Sequence, residues 1–262
     1  MDNVFESGPI YYKSNLEGDR DEVQRTAIIR ALTHTEECLQ AYCALEQSHG
    51  GRYINADLMK EIFPEYSESL ESRTRYDLSV HNSCAWLAQE LYNRQIKSDK
   101  VEECIFVTGM PGAGKSFFVQ SLFANGEIKD NQIVFEGSLC NLKASKEKMQ
   151  QLVDMGKKIQ IIVINPSLRL AFSNVVNRQQ EVGRGATLVS MAKIASEIGP
   201  AIETLDSEFP IEGIGVYSKL EDNDRVDLSV GIEAVKSLLR CDYEVTLAFL
   251  KGLDIEMRGM AR

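Results

Sequence analysis

Gly109-x-x-x-x-Gly114-Lys115-Ser116 brings together the residue types that handle a phosphate chain. Its glycines let backbone N–H groups curl around oxygen atoms, its lysine reaches β and γ oxygens, and its hydroxyl ligates Mg²⁺. The apolar run Cys104-Ile-Phe-Val-Thr108 enters the segment and the helix-prone Phe117-Phe-Val-Gln-Ser-Leu122 leaves it. A plain glycine turn between a strand and a helix needs no Lys-Ser pair at the helix start. Nucleotide contacts are therefore expected at Gly109, Met110, Pro111, Gly112, Ala113, Gly114, Lys115, Ser116 and Phe117. The expected cofactors are ATP or GTP with Mg²⁺, and Ser116 is the expected metal ligand.

Such a loop needs a sheet to hold it, and the pattern around it alternates. Strands are expected at 52–55, 104–108, 132–135, 159–164 and 211–217. Helices are expected at 58–63, 78–96, 116–124, 143–154, 167–180, 188–205 and 229–251, with Pro64 closing the first of these and one or two amphipathic helices over 21–47. Alternating strands and helices predict an α/β fold of the phosphate-loop NTPase or kinase kind, a mostly parallel sheet with helices on both faces. Residues 1–20 read as a loose arm, and 67–77 as a charged, serine-rich connection.

In a parallel sheet, ligands gather beyond the carboxyl ends of the strands, so the polar residues that follow each apolar run are the candidates. Asn55 and Asp57 follow the first strand, Lys115 and Ser116 the second, Glu136 and Ser138 the third, and Asn165 the fourth. Asp57 opens a helix and reads either as a helix cap or as a base that takes a proton from a substrate hydroxyl; the two roles are compatible. Glu136 reads as an acid that positions a metal-bound water or a substrate. Arg169, Arg178 and Arg184 lie within 167–185, where Gly183 and Gly185 flank Arg184 as a lid would require. Arg169 reads as a surface residue, and the lone His81 is left outside the site.

The 262 residues hold 44% hydrophobic residues, enough for a sizeable core, and 29 basic against 39 acidic residues give a net charge of −10. That balance disfavours broad contact with nucleic acid or an anionic membrane. Six scattered cysteines without C-x-x-C spacing and three histidines predict neither a zinc site nor a disulfide framework. Without a leader-like N-terminus or a long apolar stretch, the expected setting is the cytoplasm.

Together these pieces resemble the zeta-toxin family of phosphate-loop kinases over roughly residues 52 to 200. The similarity rests on the loop, on Asn55-Ala-Asp57 with Pro64-Glu-Tyr66, on Glu136-Gly-Ser138, and on Arg178 with Gly183-Arg184. In the family the Asn-x-Asp strand follows the phosphate-loop helix, whereas here it precedes the loop, so the chain reads as circularly permuted. Nearby termini make such a rearrangement acceptable. The domain reading that follows is an N-terminal arm and helical segment over 1–51, packed on a kinase core over 52–262.

The resemblance implies that Lys115 and Ser116 hold ATP and Mg²⁺, and that Asp57 activates the acceptor hydroxyl. It further implies that Arg178 and Arg184 neutralise the phosphoryl in transit, while Asn55, Glu136 and Ser138 contact the substrate. Family members phosphorylate a sugar hydroxyl of UDP-N-acetylglucosamine, and relatives act on nicotinamide dinucleotides or an antibiotic. Many are toxins, so a separate antitoxin protein is the implied partner beside a small-molecule acceptor. The rival reading is a nucleotide-binding sensor or switch without phosphotransfer. A motor ATPase would end a second apolar strand in aspartate, and 159–164 is followed by Asn165.

Overall fold

The computed structural model describes residues 8–219 and 226–260, so residues 1–7 of the expected arm lie outside the described residues. Contacts sort the chain into two compact units, Met1–Ser98 with Arg178–Arg184, and Asp99–Asn177 with Gly185–Arg262.

In the first unit, helix α1 (Asp19–Thr33) buries Ala27, Ile28 and Ala31, and α2 (Thr35–Cys43) follows a break at His34, so 21–47 holds two helices. From residue 8 onward the arm expected to be loose is seated. Ile10 and Leu16 are buried, and Gln24 accepts the Lys13 N–H at 2.9 Å while donating to the Lys13 carbonyl at 3.0 Å. Tyr42, fully buried, donates its hydroxyl to the Tyr53 carbonyl at 2.7 Å and accepts the Asn55 N–H at 3.0 Å. Strand β1 (Tyr53–Asn55) thereby has backbone polar groups met by a side chain, which burial demands.

The helix expected at 58–63 divides into α3 (Ala56–Met59) and a 3₁₀ turn, Lys60–Ile62. Pro64 does not close it but opens α4 (Pro64–Ser67), at the first helical position where a missing N–H is harmless. Helix α5 (Leu70–Gln95) packs on α1 and starts well before residue 78. Its start is a reciprocal cap: Ser72 N–H donates to Ser69 Oγ at 3.0 Å, and Ser69 N–H donates to Ser72 Oγ at 2.8 Å. The serines that read as a connection are the cap itself.

The second unit carries β2 (Glu103–Thr108), α6 (Lys115–Ala124), β3 (Gln132–Glu136), α7 (Leu142–Asp154), β4 (Lys158–Pro166), α8 (Leu168–Val182), α9 (Leu188–Glu208) and β5 (Ile211–Lys219). It ends with β6 (Val226–Val230), α10 (Ile232–Leu238) and α11 (Tyr243–Met260). The strands lie in the order β3-β2-β4-β5-β6, parallel except for β6, so the expected α/β phosphate-loop fold with a mostly parallel sheet is observed. Every residue of β2 is buried, as a central parallel strand requires. The connection from β2 to β3 runs one way along the sheet and those from β3 to β4 and β5 the other, so right-handed crossovers put α6 on one face and α7 and α9 on the opposite one.

The single helix expected at 229–251 is absent. Val226-Asp-Leu-Ser-Val230 alternates and pairs antiparallel with β5, and Gly231, at φ 83°, turns the chain into α10. Among the described residues no helix is long and apolar enough to cross a membrane. The six thiols are free; Cys38, Cys84 and Cys104 are buried, and Cys43, Cys140 and Cys241 are half-buried.

Ser69→Ala removes one half of the α5 cap and is expected to lower stability by about 1 kcal/mol, whereas Ser69→Thr keeps most of it. Urea unfolding checks this: the midpoint falls for Ser69→Ala with an unchanged slope. A midpoint equal to that of the parent would remove the cap from the reasons α5 begins at Leu70.

Candidate functional site

The second unit holds the phosphate loop between β2 and α6. Two of its glycines are sterically obligatory. A Cβ at Gly109 would lie 2.4 Å from the Ile164 carbonyl oxygen, and one at Gly112 would lie 2.1 Å from that of Ala171. Gly112 also sits at φ 78°, in the left-handed region, and its carbonyl accepts from Asn174 Nδ2 at 2.9 Å. Met110 and Ala113 are buried, which anchors the loop, whereas Phe117 in the first turn of α6 is 83% exposed. The Lys115 ammonium donates to the loop's own carbonyls, Gly109 at 3.0 Å and Met110 at 3.2 Å.

Glu136 ends β3 beside Val107, the last residue but one of β2, and Gly137 N–H donates to the Val107 carbonyl at 3.1 Å. This register brings the Glu136 carboxylate to the start of α6, where Ser116 Oγ donates to Oε2 at 3.1 Å. A hydroxyl and a carboxylate oxygen side by side are the hard ligands that Mg²⁺ prefers, so these residues fit that ion. Ser138 is half-exposed in the following loop, and Cys140 Sγ donates to its carbonyl at 3.3 Å. Next to it Leu139 is buried at φ 58°, a left-handed conformation that costs a leucine about 1–3 kcal/mol and is held by Ser145 Oγ donating to its carbonyl. Asn165 Nδ2 donates to the Leu238 carbonyl at 3.3 Å, and Arg169 pairs with Glu256 at 3.2 Å, both half-exposed or more.

The first unit brings Asn55, Asp57, Arg178 and Arg184 together. Asn55 is the cap of α3: its buried Oδ1 accepts from Asp57 N–H at 2.7 Å and Leu58 N–H at 3.1 Å, and its Nδ2 donates to the Tyr53 hydroxyl at 2.7 Å. The Asp57 carboxylate is thus released from capping. Its Oδ1 lies 2.9 Å from Lys60 Nζ, and its Oδ2 lies 3.1 Å from Arg184 Nη2 and 3.4 Å from Arg178 Nη2. Burial alone would raise the Asp57 pKa, but Lys60, Arg184 and Arg178 overcome it and hold the carboxyl far below the usual carboxylate range.

Lys60 and Asp77 complete this cluster, and sequence reasoning passed over both. Lys60 stands one helical turn after Asp57, a spacing that puts two side chains on one face. Nothing in the sequence marks Asp77, which reaches Lys60 Nζ at 2.7 Å from α5. The buried Tyr66 ring lies 6.0 Å from the Lys60 ammonium and 5.6 Å from the Arg73 guanidinium, and its hydroxyl has no partner among the described residues. His81 is half-buried nearby on α5; burial first and Lys60 second push its pKa down, against the pull of Asp57. Chemically, the cluster offers an ionised carboxylate with one oxygen beneath a buried ammonium and the other beneath two guanidinium groups.

No described protein family and no curated protein matches this chain. Among solved structures, the AvrRxo1-ORF1:-ORF2 complex with ATP is 13% identical at a TM-score of 0.48, covering 85% of this chain and 59% of that one. The native AvrRxo1-ORF1:-ORF2 complex is 11% identical at 0.40, covering 57% and 67%. The PezAT chromosomal toxin-antitoxin system of Streptococcus pneumoniae is 15% identical at 0.38, covering 64% and 95%. At these values each is a distant likeness and fixes neither family nor activity.

Because the Asp57 pKa is depressed in the folded state, its contribution to stability is present above the unfolded value of about 3.9 and is lost as pH falls below it. Asp57→Asn leaves Lys60, Arg178 and Arg184 without their shared anion, so the variant is expected to be less stable than the parent at pH 7. That gap should narrow below about pH 4, as Asp57 of the unfolded parent takes up a proton that the folded carboxylate still refuses. Denaturant midpoints of the two proteins across this range check it, and a gap independent of pH would contradict the ionic account.

Proposed function

We propose that this chain is an ATP-dependent small-molecule kinase of zeta-toxin type, transferring the γ-phosphoryl group to a substrate hydroxyl. The observation that carries this reading is the phosphate loop, with its two sterically obligatory glycines, Lys115 and Ser116 at the start of α6, and Glu136 beside the Ser116 hydroxyl. In this reading the loop N–H groups and Lys115 take the β and γ oxygens. Ser116 and Glu136 would hold Mg²⁺, which would supply positive charge to offset that of the phosphates.

Asp57 receives the acceptor hydroxyl. A carboxylate with a strongly depressed pKa is a weak base, yet in a loose phosphoryl-transfer transition state little covalent chemistry falls to the protein, so orientation of the hydroxyl is the larger part of its work. Arg178 and Arg184 neutralise the phosphoryl in transit. Asn55 presents the Asp57 turn, and Glu136 and Ser138 complete the acceptor contacts. The acceptor class is a nucleotide sugar of the UDP-N-acetylglucosamine kind or a dinucleotide, the setting the cytoplasm, and the biological role a toxin restrained by a separate antitoxin. The second reading, a nucleotide sensor or switch without transfer, is favoured by one observation: Asp57 is engaged by three cations at once.

Mass spectrometry after incubation with Mg-ATP and a metabolite panel containing UDP-N-acetylglucosamine and nicotinamide dinucleotides separates the two. One product is expected to gain a single phosphoryl group. Asp57→Asn is expected to lower turnover by about 10²-fold or more while ATP affinity stays within about twofold. Lys115→Ala should weaken both, and Arg184→Ala should lower turnover by about 10³-fold with a smaller effect on affinity. Tight ATP binding with no phosphorylated metabolite would sink the kinase reading in favour of the sensor.

A further inference from the structure

We infer that Lys60, held by Asp77, is a positioning residue for Asp57, taking one carboxylate oxygen so that the other is the working oxygen. The inference rests on the kinase reading and adds to it two residues of the first unit. Its starting point is a cost. The Lys60 side chain is 3% exposed, and an ammonium withdrawn from water is expensive unless anions meet it closely. An apolar residue of similar volume at such a position is often neutral or stabilising, so stability alone gives little reason for a lysine there.

Its geometry supplies the reason. Lys60 Nζ lies 2.9 Å from Asp57 Oδ1 and 2.7 Å from Asp77 Oδ1, so one ammonium ties the carboxylate of the α3 turn to the long, capped helix α5. Oδ2 has different partners. Arg178 is 40% exposed and Arg184 16% exposed, and long guanidinium side chains of that kind can exchange one anion for another, whereas the lysine beneath has nowhere to go. An arriving hydroxyl can therefore take Oδ2 while Lys60 keeps Oδ1, and the carboxylate does not swing when the arginines leave. The groups that bear on this pair are Arg178 and Arg184 on Asp57, and Asp77, His81 and Cys84 of α5, Tyr66 of α4 and Lys13 from the segment before α1 on Lys60.

The full chain carrying Lys60→Met, Lys60→Arg or Asp77→Asn tests this, with turnover measured on Mg-ATP and UDP-N-acetylglucosamine, ATP affinity measured separately, and the Asp57 carboxyl followed by its ¹³C shift. Lys60→Met is expected to lower turnover about 10- to 100-fold with ATP affinity within about twofold, and Asp77→Asn to act in the same direction but less. Lys60→Arg should recover part of the loss. In Lys60→Met the Asp57 carboxyl should begin to protonate at higher pH than in the parent, whereas Asp77→Asn, which keeps the ammonium and removes an anion, should not raise it. Asp77 is partly exposed, so its variant carries the turnover and ATP-affinity readouts if Lys60→Met does not fold. Unchanged turnover together with an unmoved Asp57 titration overturns the inference, as does a loss of ATP affinity that parallels the loss of turnover. A parent that phosphorylates no acceptor overturns the kinase reading instead, and the Asp57 titration then still decides whether Lys60 governs that carboxylate.

Discussion

A lysine ammonium taken out of water has to find anions, and the arrangement of the first unit follows from where it finds them. Asp57 is available because Asn55 caps the helix in its place. Asp77 is available because the Ser69 and Ser72 cap starts α5 early enough to carry it. Each of these local choices is weak alone, worth about 1 kcal/mol for a cap. Linked through Lys60 they specify one orientation of one carboxylate, and two arginines from the end of α8 and beyond it converge on its remaining oxygen.

The second unit solves a different problem with backbone instead of charge. A phosphate cradle needs N–H groups facing inward, and that requires chain paths closed to side chains. The contacts a Cβ would make at Gly109 and Gly112 are with carbonyl oxygens of β4 and α8, so the sheet and the helix around the loop dictate glycine there independently of any ligand. Glu136 is brought to Ser116 by parallel register alone, since β3 and β2 end one residue apart. A chain of net charge −10 can in this way present donors to an anion, because backbone dipoles at a helix start act over short distances that the overall charge does not reach.

Legibility in the sequence tracked how local each interaction is. The loop, its strand and its helix could be read because glycines, Lys115 and Ser116 are contiguous, and the parallel strands because each is a short apolar run. Whether Asp57 caps its helix depends on a start two residues earlier, and Asn55 and Asp57 are both good capping residues, so only the hydrogen bonds decide between them. The Lys60 to Asp77 pair joins residues 17 apart across a turn and a helix start that read as loop. Strand β6 was hidden because Val226–Val230 pairs only with β5, and an alternating run of five residues beside a helix carries little signal of its own.

The cysteines point somewhere the composition did not. Burial lifts the Cys140 thiol to about 11 and carries Cys104 higher still, with Cys38, Cys43, Cys84 and Cys241 raised for the same reason. A thiol near 11 is thiolate in only about one molecule in ten thousand at pH 7, and it is the thiolate that attacks disulfides and electrophiles. The buried sulfur atoms of Cys38, Cys84 and Cys104 therefore behave as packing material. Alkylating agents and mild oxidants should pass these three by, and a change in the redox poise of the surroundings should leave the packing around them as it is.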